Sequence, residues 1–249
     1  MKKIRTTPPR HFPYQHPTFG TDKKPKTPRH WEDTVYYWWW AYLKRSEKYL
    51  KTCELGGKGE LAKLYKDFGD VRGDSFKTWW NEKLSDDNSR GAHLFANPIK
   101  ADRLTLLEDG EIAVVNKSKL VISVPLNLPQ KFLVDRFRKL VEENHSGAKG
   151  MKYAKASEAT YKFSGQPNIK ALRIGLKIYD LAKANPDLTL WELGLDLPQF
   201  QEELSQYKKD SIPFDLRRTI SSTVSRYKKR VAESIRNTEL GYFPNKDEM

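Results

Sequence analysis

The sequence predicts a mainly α fold with one small β-hairpin, an α+β chain. An aromatic-rich helical subdomain precedes a helix-turn-helix-like helical bundle at the C-terminus. Three observations predict it. Apolar residues recur at helical spacing from Trp31 to Cys53 and again from Ile169 to Ile235, only the stretch from Ile112 to Val124 alternates with the period of a strand, and glycine or proline punctuates the boundaries.

The first helix follows from Trp31, Val35, Trp38, Tyr42, Tyr49 and Cys53 at intervals of three, four and seven, and Gly56 with Gly57 stops it. Inside it five rings stand in a row, Tyr36 to Trp40. With about 3.6 residues per turn, consecutive side chains point all round the axis, so at most two or three of these rings share a face. That predicts core rather than a platform for stacking bases, with Tyr37 the ring farthest from the apolar stripe. A shorter helix carries Leu61, Leu64, Tyr65 and Phe68, and Ser75 caps another that brings Trp79 and Trp80.

Residues 84–98 read as a polar loop. The hairpin follows, with Ile112 and Val114 on one strand, a turn at Asn116–Ser118, and Leu120, Ile122 and Val124 on the other. Pro129 then opens a helix whose Leu133, Phe137, Leu140 and Val141 face inward. Asn168 caps a helix ending before Pro186, Thr189 caps a second, a third starts near Gln199, and the last has Leu216, Ile220, Val224, Tyr227, Val231 and Ile235 at steps of four, four, three, four and four. The segments are a flexible basic arm over 1–29, the aromatic subdomain over 30–98, hairpin plus helix over 99–145, a basic linker or loop over 146–167, the nucleic-acid-binding region over 168–240, and a tail over 241–249.

Composition narrows the function. The 249 residues are 38% hydrophobic and 12% aromatic, enough for a real core. No run of about eighteen apolar residues suggests a membrane span, and the basic N-terminus has no apolar stretch behind it to suggest a secretory signal. A lone Cys53 forms no internal disulfide and fits a reducing cytoplasm. One cysteine and five histidines give no metal-ligand spacing, so neither metal nor cofactor is expected.

The formal net charge of +13 is clustered. Residues 1–30 hold eight Lys/Arg against Asp22, 146–183 hold eight against two acids, and 207–236 hold nine against three. These blocks net +7, +6 and +6, so the remainder nets −6. Clustered cations attract polyanions through phosphate contacts and counterion release; the competing reading is a surface solvated by its own charge. The candidate binding residues are Arg217, Arg218, Ser222, Arg226, Lys228, Lys229 and Arg230 of the last helix, where small hydroxyl residues stand among the cations, together with Lys149, Lys152, Lys155 and Lys162.

Catalysis has less support. "GGKGE" at 56–60 lacks the glycine spacing and the Ser/Thr of a phosphate loop and follows a helix, so it reads as a helix end and turn. The least poor carboxylate set for a metal-dependent nuclease is Glu108, Asp109 and Glu111.

"YYWWWAYLKRSEKYL", "GGKGELAKLYKDFGDV", "FKTWW" and "HLFANP" together resemble a class of uncharacterised proteins of bacterial mobile elements and prophages, over residues 31–98. Residues 168–240 resemble helix-turn-helix regulators. These resemblances imply a bacterial DNA-associated protein, cytoplasmic and open to association with the nucleoid, and bring no activity with them. The reading that results is a non-enzymatic nucleic-acid-binding protein, DNA before RNA, acting as a transcription regulator or accessory factor of a mobile element or prophage, with a protein partner or homodimer possible and no membrane. The alternative is an assembly factor docking through the aromatic helices; a nuclease is third.

Overall fold

A computed structural model describes residues 11–21, 23–85, 88–97, 121–144 and 157–245. In chain order they form β1 (Gly20–Thr21), β2 (Lys24–Pro25), α1 (Arg29–Glu32), α2 (Val35–Leu43), α3 (Glu47–Glu54), α4 (Ala62–Phe68), α5 (Phe76–Asn81), β3 (Lys83–Ser85), β4 (Asn88–Ser89) and α6 (Arg90–Phe95). After these come α7 (Gln130–Asn144), α8 (Ile169–Ala184), α9 (Leu190–Leu193), α10 (Gln201–Leu204) and α11 (Phe214–Glu239). The fold is mainly helical with two small antiparallel two-stranded sheets, β1 with β2 and β3 with β4.

The helix expected from Trp31 to Cys53 is divided at two places. Thr34 adopts an extended conformation ahead of α2, and the Ser46 side chain accepts from the Tyr49 amide to begin α3 afresh. A capping serine satisfies an orphan donor of a new helix, which outweighs continuation of the apolar period. Gly56 and Gly57, at φ 62° and 88°, end α3 as expected.

Between its breaks α2 has no charged residue. Tyr36, Trp38, Trp39 and Trp40 are all buried, and Tyr37 alone of the five rings is half-exposed. A helix apolar on every side belongs at the centre of a fold, and here other elements surround it. Trp80 and Phe95 pack on Tyr36, Phe68 packs on Trp39, and Phe76 with Trp79 packs on Trp40, at ring-centroid distances from 5.1 to 6.3 Å. These five pairs are tilted, with interplanar angles from 31° to 55°, and none is a face-to-face sandwich, which ring quadrupoles disfavour.

Residues 11–19, expected to be part of a free arm, lie over this core, while β1 and β2 beyond them are exposed. The Tyr14 amide donates to the Tyr36 hydroxyl at 3.1 Å, Phe12 sits 5.8 Å from Trp80, and Phe19 sits 5.4 Å from Trp31. The prolines and missing aliphatics suggested disorder, but three aromatic rings supply the area that anchors the segment. Residues 1–10 fall outside the described residues.

Two more expectations change. Within 84–98, α6 is a real helix capped by Ser89, and a side chain in place of Gly91 would meet the Trp80 ring at 2.2 Å. Its Arg90 is buried against Glu82 (2.6 Å) and the Asp67 carbonyl (2.7 Å). The hairpin expected at 112–124 lies mostly outside the described residues, and 121–125 is not strand; the observed strands lie at 20–25 and 83–89. Helix α7 forms where Pro129 predicts it. However, Phe137 of its supposed inward face is exposed, and Leu133, Leu140 and Val141 are only half-buried.

The expected boundary between the aromatic subdomain and the C-terminal helices is not a boundary in space. One core holds the α2 rings together with Phe163, Leu172, Leu176, Val231, Ile235 and Phe243. The Tyr42 hydroxyl donates to the Leu172 carbonyl at 3.0 Å, and burial raises its pKa, so the phenol keeps its proton. A second core gathers Ile178, Leu193, Leu197, Phe200, Ile212, Leu216, Ile220 and Val224. Helix α11 runs through both. Gly194 permits its close approach to the α9 turn, since a Cβ there would lie 2.4 Å from Ile220.

The burial pattern of α2 sets a stability contrast. Trp39→Ala should destabilise by about 3–5 kcal/mol in urea unfolding, whereas Tyr37→Ala should cost roughly 1 kcal/mol. Equal costs would contradict the all-round burial of this helix.

Candidate nucleic-acid interface

Helix α11 is positioned by its seam. Leu216, Ile220, Val224, Val231 and Ile235 are buried as the spacing predicts, and Tyr227 is half-buried. The remaining arc of the helix faces outward: Arg218, Ser222, Ser225, Arg226, Lys229, Arg230, Glu233 and Arg236 are all exposed. The four-element order expected of this region is observed, although α9 and α10 are single turns and a 3-10 turn at Lys209–Ser211 precedes α11.

Three concavities follow one another along that outward arc. The first, about 360 Å³, is lined by Asp215, Arg218, Thr219, Ser222 and Arg226. The second, about 270 Å³, lies between Thr223, Arg226, Tyr227 and Arg230 of α11 and the 3-10 turn carrying Gln199 and Phe200. The third, about 770 Å³, starts at Tyr227 and Arg230 and is walled by the start of α8, residues 164–167 and Pro244–Asn245. Arg226 borders the first two and Arg230 the last two, so they form one groove.

The ion pairs separate working cations from structural ones. In the second basic block Arg173 is 2.7 Å from Asp33, Lys177 is 3.4 Å from Asp196, and Lys183 is 2.9 Å from Glu47. Arg45 holds Asp180 with a two-nitrogen grip at 2.6 and 3.2 Å. The pairs with Asp33, Glu47 and Arg45 tie α8 to the aromatic half and the pair with Asp196 ties it to the segment after α9, so three cations of the block meet carboxylates from outside it. By contrast, among the described residues Arg218, Arg226, Lys229, Arg230 and Arg236 have no carboxylate within 4 Å; Arg226 donates only to the Thr223 hydroxyl at 3.3 Å. Asp215 and Glu233 are the acids that border the groove.

Of the sequence-predicted residues, then, Arg218, Ser222, Arg226 and Arg230 line one groove, and Lys229 stands beside them on the same arc. Arg217 does not join them. Its guanidinium lies 4.7 Å from the centre of the Trp191 ring, Nη2 donates to the Asp210 carbonyl at 3.1 Å, and Nε is buried without a partner. It braces α9 against α11. Lys228 is half-buried and lies about 120° around the helix from Ser222. Lys162 is exposed, away from the α11 groove, on a strip whose Tyr161 and Phe163 turn into the core. Lys149, Lys152 and Lys155 lie outside the described residues, as do Glu108, Asp109 and Glu111.

Sequence spacing alone did not indicate Gln199, Phe200, Asn168 or the 164–167 wall, because only tertiary packing brings them to α11. Beside the groove, Lys209 at 2.9 Å and the hydrogen bonds from Thr189 hold the Glu192 carboxyl down at about 2, so this acid stays ionised and occupied. Among the described residues no three His, Cys, Asp or Glu side chains converge as metal ligands, and no helix is long and apolar enough to cross a membrane.

The division of roles among neighbouring arginines is measurable. Arg217→Ala should lower stability by about 1 kcal/mol, from the lost cation–π and hydrogen-bond contacts, and leave nucleic-acid affinity within about twofold. The triple variant Arg218→Gln, Arg226→Gln, Lys229→Gln should do the reverse: unchanged urea midpoint, affinity lower by roughly tenfold or more. Similar behaviour of the two variants would contradict the assignment. Compared with known proteins, the chain matches no family model, no curated protein and no solved structure.

Proposed function

We propose that the protein binds nucleic acid, duplex DNA in the first place, along the outward arc of α11, as a non-enzymatic regulator or accessory factor of a bacterial mobile element. The observation that carries this reading is a line of unpaired cations. Arg218, Arg226, Lys229 and Arg230 share a solvent-facing arc while Arg173, Lys177 and Lys183 of α8 are engaged in ion pairs. From Arg218 to Arg230 the helix rises about 18 Å, which matches some five base-pair steps along a duplex. Ser222 and Ser225 between the cations are short enough for close approach of a phosphate oxygen or a base edge. The mobile-element setting rests on the resemblance of residues 31–98.

An assembly role is the second reading, and its support has moved. The α2 rings other than the half-exposed Tyr37 are buried, whereas α7 exposes Phe132, Val134 and Phe137. Association through such a face would strengthen with salt rather than weaken.

Salt dependence separates the two. With four or five phosphates neutralised, the log–log slope of duplex affinity against salt should be near −4, a loss of on the order of a hundredfold between 50 and 200 mM. A fluorescence-anisotropy titration series measures it; a flat dependence rejects the polyanion interface.

A further inference from the structure

The third concavity differs from the rest of the groove. It is the largest, about 770 Å³, within the range that takes a nucleotide. It also lies against the start of α8, a sixteen-residue helix whose cap residue Asn168 lines it and whose first turn contains no acid. Asn168 caps the helix at the wall of the concavity, its side chain accepting from the Ala171 amide at 3.0 Å, so the positive end of the α8 dipole lies against that wall.

An independent feature is Ser234. It is 4% exposed and lines the concavity, and its hydroxyl has no hydrogen-bond partner among the described residues. Ser221 on the same helix shows the usual alternative, donating to the carbonyl of Arg217 at 2.8 Å. The Ser234 hydroxyl therefore stands free at the wall of the concavity, where a ligand oxygen can meet it. The unpaired guanidinium groups of Arg230 and Arg236 border the same space, as does the half-buried Tyr227 ring, with Glu233 the one carboxylate in the lining.

We infer that this concavity is a pocket for a terminal phosphate monoester and the nucleotide that bears it. The inference rests on the groove reading, since the same α11 face would lead a strand to the pocket. A terminal monoester carries up to two negative charges where an internal phosphodiester carries one. Two guanidiniums, a helix start and a free hydroxyl therefore favour an end over the middle of a chain. Tyr227 supplies a ring face for the terminal base.

The test compares three otherwise identical duplexes with 5′-phosphate, 3′-phosphate or hydroxyl ends, by anisotropy on the full chain at fixed salt. The expected result is about tenfold tighter binding of one phosphorylated end, lost in Ser234→Ala and in Arg236→Gln. Which end is preferred identifies the source of the monoester. Competition by a free 5′-nucleoside monophosphate that abolishes the preference would locate the recognition in the nucleotide itself and also supports the pocket. Equal affinity for all three duplexes overturns it, as does a preference that both variants retain at unchanged urea midpoint. The Arg218, Arg226, Lys229 triple variant separates the two readings. If it leaves hydroxyl-ended binding intact the groove fails, while an end preference can persist without it.

Discussion

The structure depends on burying one uncharged helix from every side. Helix α2 has no polar face to give to water, so its five buried rings are stable only when α4, α5, α6, α8, α11 and the segment 11–19 enclose it. Each large ring removes substantial apolar area from water, and ring-to-ring contacts add specificity of angle. The indole nitrogens of Trp39 and Trp40 are buried without partners. The centre of the fold thus gives up hydrogen bonds to keep its rings packed.

This constraint reaches the surface through α11. Because Val231 and Ile235 belong to the α2 core while Leu216, Ile220 and Val224 belong to the second, the helix is fixed at both ends and cannot rotate. Its outward arc is therefore determined by packing. Cations that fall near the seam are used structurally, as with Arg217 on Trp191, and those half a turn away are left to solvent. The second basic block shows the other fate of charge: Arg173, Lys177 and Lys183 meet carboxylates from distant segments. Exposed pairs of this kind add little stability, but they cancel the local field. Charge counted along a sequence overstates the field whenever the partners are remote.

The same distinction explains what could be read from the sequence. Local signals were legible: Ser75, Asn168 and Thr189 all cap helices, Gly56 and Gly57 end one, and the period of four and three predicted the α11 seam. Non-local ones were not. Ser46 reads equally well as a mid-helix serine until its hydroxyl is seen on the Tyr49 amide. Phe12, Tyr14 and Phe19 look stranded among prolines until the core they cover exists. Half of the candidate site was legible, namely Arg218, Ser222, Arg226 and Arg230, because it lies on one helix. The facing wall of Gln199, Phe200 and Asn168 comes from other elements, and no spacing rule relates them to α11.

The central claim is that nucleic acid lies along the outward arc of α11 and not on the ion-paired face of α8. Site-specific photocrosslinking tests it most directly, with p-benzoylphenylalanine placed in one variant at Ser222 and in another at Lys177, each irradiated with labelled duplex. The account predicts a crosslinked adduct from Ser222 and none from Lys177. An adduct from Lys177 with none from Ser222 would contradict it.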